Sequence, residues 1–100
     1  MKKTKYDFVV IYEDNENLEE MKELIMQKIK DYNYEINEVE DWGTRLLAYP
    51  IKKQNKGYYV LYNLVDNEED TKIKASDFAK EIDKLQYEEN KILKFVLVRL

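Results

Sequence analysis

The chain has 100 residues, 38% of them charged, and a formal net charge of −4. It contains no Cys and no His, which excludes a disulfide framework, zinc-finger spacing, a thiolate nucleophile and any Ser-His-Asp or Cys-His catalytic arrangement. This length fits one domain over residues 1–100 with a modest core, and the missing Cys fits a reducing cytoplasm.

The start, MKKTKYDFVVIYED, imitates a signal peptide. Its apolar run, Phe8 to Tyr12, stops at Glu13 and is too short for that purpose. No stretch approaches the ~20 apolar residues of a membrane helix, so a cytoplasmic protein without membrane contact is expected. Tyr6 to Tyr12 is rich in β-branched and aromatic residues and predicts strand one. Asn17 with Glu20 three positions on marks a helix start, and Leu18, Met21, Ile25, Ile29 and Tyr32 form its apolar stripe. Asn33 suits a left-handed cap at its end.

Strand two is expected from near Tyr34 to Ile51. Ile36 and Val39 are three apart, which predicts a bulge, and Gly43 predicts a second irregularity. Pro50 predicts an edge strand. Gln54-Asn55-Lys56-Gly57 is the expected turn. Strand three follows from Tyr58 to Val65, then an acidic turn over Asp66 to Asp70. Ile73, Ala75, Phe78, Ile82 and Leu85 predict a second helix, for which Ser76 caps a shorter version. The last strand is expected from Ile92 to Leu100.

The order β-α-β-β-α-β is the ferredoxin-like arrangement, an α+β sandwich with a four-stranded antiparallel sheet and two helices on one face. The crossovers place strand one beside strand three at the centre, read here as parallel, with strands two and four at the edges. Charge runs in blocks: +2 over residues 1–12, −8 over 13–41, +4 over 42–65, −4 over 66–91 and +2 over 92–100. On this topology Lys2, Lys3, Lys5, Lys52, Lys53, Lys56 and Arg99 gather at one basic end suited to phosphate. Phe8, Val10, Leu47, Tyr59, Leu61, Phe95 and Leu97 have the parity to meet the helices. Val9, Ile11, Leu46, Ala48, Val60, Tyr62, Val96 and Val98 have the opposite parity and predict an apolar open face, large enough to dock a protein.

Other chemistry is thin. Asp66, Glu68, Glu69 and Asp70 lack the spacing of a calcium loop, and no glycine-rich phosphate loop exists, so no metal, cofactor or small-molecule substrate is expected. Tyr58, Tyr59 and Tyr62 suggest a base-stacking platform, but the basic-aromatic Gly-Phe signature of an RNA-recognition module is missing and Tyr59 is expected in the core. Trp42 is expected to pack at the Gly43 bend. Arg45 offers a planar donor for phosphate.

Trp42-Gly43, Arg45, Leu47-Ala48-Tyr49-Pro50-Ile51, Lys52-Lys53 and Gly57-Tyr58-Tyr59-Val60-Leu61 resemble the central pattern of bacterial small-subunit ribosomal protein six. The ending Val96-Leu97-Val98-Arg99 and the start at Tyr6 are similar to that family too, so the likeness spans the chain. It implies a non-enzymatic, structural role, a heterodimer with ribosomal protein eighteen, and contact with small-subunit rRNA in the platform region. It also implies Arg45, Tyr49, Lys52 and Lys53 as rRNA-side residues, joined by Lys56, Lys3, Lys5 and Arg99 from the charge reading. Many members carry adjacent cations where this chain has Thr44 and Leu46, which implies thinner direct RNA contact. The acidic tail of some members is not expected after Leu100. From the residues alone, a free-standing RNA-binding or regulatory module that homodimerises through its open face stays open, as does a small enzyme of this fold.

Overall fold

In a computed structural model, the structure describes residues 3–67 and 72–100. Strand β1 is Thr4–Tyr12, helix α1 Leu18–Asp31, strand β2 Glu35–Ile51, strand β3 Gln54–Asp66, helix α2 Lys72–Tyr87 and strand β4 Lys94–Arg99. They form one four-stranded sheet, ordered β2-β3-β1-β4, in which every neighbouring pair is antiparallel. The expected ferredoxin-like fold is therefore present. Lys2 and Glu68 to Asp70 lie outside the described residues.

Local chemistry explains the elements. In α1, Glu19 and Glu20 sit in the first turn and Lys28 and Lys30 in the last, complementing the helix dipole. Its apolar stripe buries Ile25 and Ile29, with Leu18, Met21, Leu24 and Tyr32 at the margin. Asn33 takes the left-handed cap at φ 59°, and the Tyr34 N–H closes back on the Ile29 carbonyl at 3.2 Å. Helix α2 buries Phe78, Ile82 and Leu85. Ile73, expected on that stripe, is 67% exposed in the first turn. β4 begins at Lys94, two residues later than expected. Ile92 and Leu93 are buried in the approach to it.

Two expectations about the sheet are corrected. β1 and β3 run antiparallel, with Thr4 opposite Asp66 and Tyr12 opposite Tyr58. The α1 crossover makes β1 and β2 parallel with β3 between them, so β3, the hairpin partner of β2, must oppose both. The start of β1 and the end of β4 (Arg99 opposite Tyr6) therefore lie at the end of the sheet away from the β2–β3 tip. Lys3, Lys5 and Arg99 do not join Lys52, Lys53 and Lys56, and the expected single basic end does not form.

The second correction is the phase of β3. Val60 and Tyr62 lie opposite Val10 and Phe8 and are fully or almost fully buried with Leu64 in the helix-facing core. They are not on the open face. Tyr59 and Leu61, expected in the core, are partly exposed opposite Ile11 and Val9. In β2 the expected bulges occur between Ile36 and Glu38 and between Asp41 and Gly43. Gly43 has φ 77°, a conformation glycine adopts without a side-chain penalty.

A basic arm and an open sheet face

Past the Tyr12–Tyr58 pair, β2 and β3 continue without β1 as a two-stranded arm, residues 44–57. Thr44, Arg45 and Leu46 pair with Tyr58, Gly57 and Lys56, and Ile51 pairs with Gln54. Between those last two pairs, residues 47–50 face Asn55 alone, an irregularity that bends the arm. Gly57 permits that close approach, because a Cβ there would lie 2.4 Å from Ile11 Cγ2. Leu47 Cδ2 and Leu93 Cδ1 sit within 3.4 and 3.6 Å of the same point. Leu47 is thus with Ile11 on the open side rather than under the helices.

The turn is Lys52–Lys53, not Gln54–Gly57. Both lysines have positive φ, 50° and 67°, the two-residue type I′ geometry that matches strand twist. Nothing in a Lys-Lys pair announces it, since glycine or asparagine usually fills these positions. The Lys52 ammonium donates to the Ile92 carbonyl at 2.9 Å and to the Gln86 carbonyl in the last turn of α2. Burial pushes its pKa down, opposed by Glu13. Lys53 and Lys56 are exposed and share a shallow hollow with Asp14, Gln54 and Asn55. The Thr44 hydroxyl donates to the Asp14 carboxylate.

Arg45, exposed on β2, lies with its guanidinium 5.3 Å from the Trp42 ring centre. Trp42 in turn stacks on Tyr59 at 6.4 Å and 20°. This three-layer stack sits on the open side of the sheet, so Trp42 packs beside Gly43 as expected while remaining 38% exposed. Tyr49 is 81% exposed. Leu46 is 74% exposed, but its partner Lys56 shares the parity of Val60, which puts Leu46 on the other side of the arm from Val9 and Val96. Ala48 is exposed within the bend, away from the four-stranded sheet.

At the opposite end of the sheet Lys5 pairs with Val65 and its carbonyl accepts the Leu100 N–H at 2.9 Å. Asp66, wholly buried, meets Lys74 at 3.1 Å. Lys3, Lys5 and Arg99 thus belong to a separate surface of mixed sign.

The open face proper is built in rows across the strands. Leu61, Val9 and Val96 form one row; Tyr59, Ile11 and Lys94 the next; Asn63, Asp7 and Val98 the third. Val96 and Val98 are 44% and 46% exposed. The third row is polar but internally bonded: Asn37 Nδ2 donates to Asn63 Oδ1 at 3.0 Å, and Asn63 Nδ2 donates to Asp7 Oδ1 at 2.9 Å. Groups already paired are cheaper to cover than unpaired ones. An apolar band does exist here, then, with Leu61 and Tyr59 in place of Val60 and Tyr62. Asn63 carried the signal, because a polar residue in strand three belongs on the less buried face.

An exposed cluster at the base of the arm ties β2 and β3 to α1. The Tyr58 hydroxyl donates to Asp41 Oδ1 at 2.5 Å, and Lys22 of α1 reaches Asp41 at 3.3 Å and Glu19 at 3.6 Å. Hydrogen bonding from Tyr58 holds the Asp41 carboxyl below its usual range and raises the Tyr58 pKa to about 12. Among the described residues no group of three acidic side chains is placed to hold a metal ion, and no helix is long and apolar enough to cross a membrane.

Fold and surfaces together define a class: a ferredoxin-like α+β protein with a basic two-stranded arm and an open, largely apolar sheet face. The family described as "Ribosomal protein S6" matches residues 5–99, and the chain belongs to that family, one of ribosomal structural proteins rather than enzymes. It is 38% identical over 97 residues to "Small ribosomal subunit protein bS6" of Clostridioides difficile, covering 93% of this chain and 96% of that one. The protein of the same name from Alkaliphilus oremlandii is 32% identical, covering 96% of each. The crystal structure of 30S ribosomal protein S6 from Thermotoga maritima superposes with a TM-score of 0.72 at 23% identity, over 99% of this chain and 89% of that one, a likeness of fold.

Proposed function

We propose that the chain is a structural constituent of the bacterial small ribosomal subunit, pairing with ribosomal protein eighteen through its open sheet face and touching platform rRNA with its basic arm. Family membership makes it a small-subunit ribosomal protein of the cytoplasmic ribosome. The observation that carries the finer reading is the physical separation of two surfaces. The arm bears Arg45, Lys53 and Lys56 beside exposed Tyr49, and its residues 44–57 include no Asp or Glu. Such a ribbon suits a phosphate backbone, with Tyr49 free to stack on a base. The face bears Val9, Leu61, Val96 and Val98, apolar surface that a protein partner removes from water. Lys52 belongs to the arm but spends its ammonium on carbonyls of the body. Lys3, Lys5 and Arg99, at the opposite end, reach only RNA that wraps around the domain.

Sucrose-gradient sedimentation of a lysate tests the reading. The chain is expected to travel with small subunits and to be released with protein eighteen. A chain that remains at the top of the gradient defeats the ribosomal assignment, and a homodimer formed through the open face defeats the partner assignment.

A further inference from the structure

Four positive side chains mark the stretch from Trp42 to Val65, and their number suggests four equivalent phosphate contacts. Lys52 differs from the other three. Its backbone sits at φ 50° in the two-residue turn, and its side chain runs back to the body, where the ammonium finds backbone carbonyls. Its ammonium bridges the Ile92 carbonyl, 2.9 Å away, and the Gln86 carbonyl. Gln86 is in the last turn of α2, where carbonyls lack helical partners and the dipole favours a cation. Ile92 and Leu93 are buried, and the Leu93 N–H bonds the Ile11 carbonyl at 2.8 Å, so this segment is firmly tied to β1. The arm, by contrast, has lost β1 as a neighbour and its ladder is broken over residues 47–50. Two-stranded ribbons of this kind are marginal in water. One charged group therefore connects a loosely supported tip to a rigid part of the molecule.

We propose that Lys52 is a positioning residue that straps the tip of the arm to the end of α2 and the approach to β4, and that it is not itself a phosphate contact. Lys53, on the same turn, is the exposed cation of the pair. The strap stands on the free protein's geometry; its consequence for RNA rests on the reading of the arm as the rRNA-binding element. A charged hydrogen bond to a carbonyl has a strength that makes local opening roughly tenfold more frequent when it is lost.

The test compares Lys52→Met with Lys53→Met. In the free protein, amide exchange of residues 51–54 and Leu93 is expected to accelerate about tenfold in Lys52→Met and to be unchanged in Lys53→Met, with Lys52→Arg restoring protection. Equal exchange in wild type and Lys52→Met overturns the strap. If Lys52→Met does not fold, the wild-type ammonium signals decide: the Lys52 protons are expected to exchange with water most slowly of the arm lysines, and equal rates overturn the strap. With protein eighteen and a platform rRNA fragment, Lys53→Met is expected to flatten the salt dependence by about one phosphate contact, a slope change of ~0.7–0.9. Lys52→Met is expected to weaken binding at unchanged slope, and a flattened slope in Lys52→Met overturns its exclusion from phosphate. Failure of the wild-type chain to bind the fragment overturns the RNA reading alone, because exchange in the free protein still decides the strap.

Discussion

Tyr12 and Tyr62 share a hydroxyl–hydroxyl hydrogen bond inside the core: their oxygens are 2.6 Å apart, and both rings are almost wholly buried. Burial pushes both pKa values up, that of Tyr62 to about 12. Each hydroxyl serves as the other's partner, so removing one leaves a buried polar group exposed to its desolvation cost. Tyr12→Phe and Tyr62→Phe are each expected to lower stability by about 1–3 kcal/mol. The double substitution should be no less stable than the weaker single variant, as urea titration will show. Asp41 makes a different prediction. Its pKa is lowered, first by the Tyr58 hydroxyl, so its contribution is full above the unfolded carboxylate value and is lost as pH falls through the lower folded one. Glu81, lowered by Lys28 at 2.9 Å, acts in the same direction. Stability should therefore decline as pH drops below about 4, and Tyr58→Phe should shrink that decline.

At the level of elements, the β2–β3 arm is where sequence and structure part. The number and order of elements were legible because each has a clear period: 3.6 in α1, 2 in β1 and β4. The bulges near Gly43 and between Ile36 and Val39 were legible from spacing. The phase of β3 was not, because Tyr58, Val60, Tyr62, Leu64 and Tyr59, Leu61, Val65 are both apolar sets; only Asn63 distinguishes them. The turn was hidden for another reason: lysines occupy positions with φ 50° and 67° at a cost of about 1 kcal/mol each. Lys53→Gly is accordingly expected to raise stability by about 1 kcal/mol while weakening rRNA assembly, two effects of opposite sign from one side chain. Charge reversal at Lys53 and Lys56 should weaken assembly further and flatten its salt dependence. The same reversal at Lys3 and Lys5 should have the smaller effect. Gly57→Ala is expected to destabilise by about 1–3 kcal/mol, since the added methyl must displace the Ile11 side chain.

For the whole molecule, topology decides what the charge pattern can do. Antiparallel pairing sends the basic segments to opposite ends of the sheet, each beside acidic neighbours: Glu13 and Asp14 near the arm, Asp66 near the terminal lysines. With a net charge of −4, the proposed RNA contact rests on a projecting element that carries cations and no acid, which among the described residues the arm supplies. Topology likewise leaves one face of the sheet without helices. The central claim is that this face, and not the helix side, receives the protein partner. The most direct measurement is heterodimer formation with ribosomal protein eighteen, followed by native mass spectrometry, for the wild type, Val96→Lys and Leu46→Lys. A 1:1 complex for the wild type and Leu46→Lys, lost in a folded Val96→Lys, is the predicted result. A folded Val96→Lys that pairs as well as the wild type would contradict it.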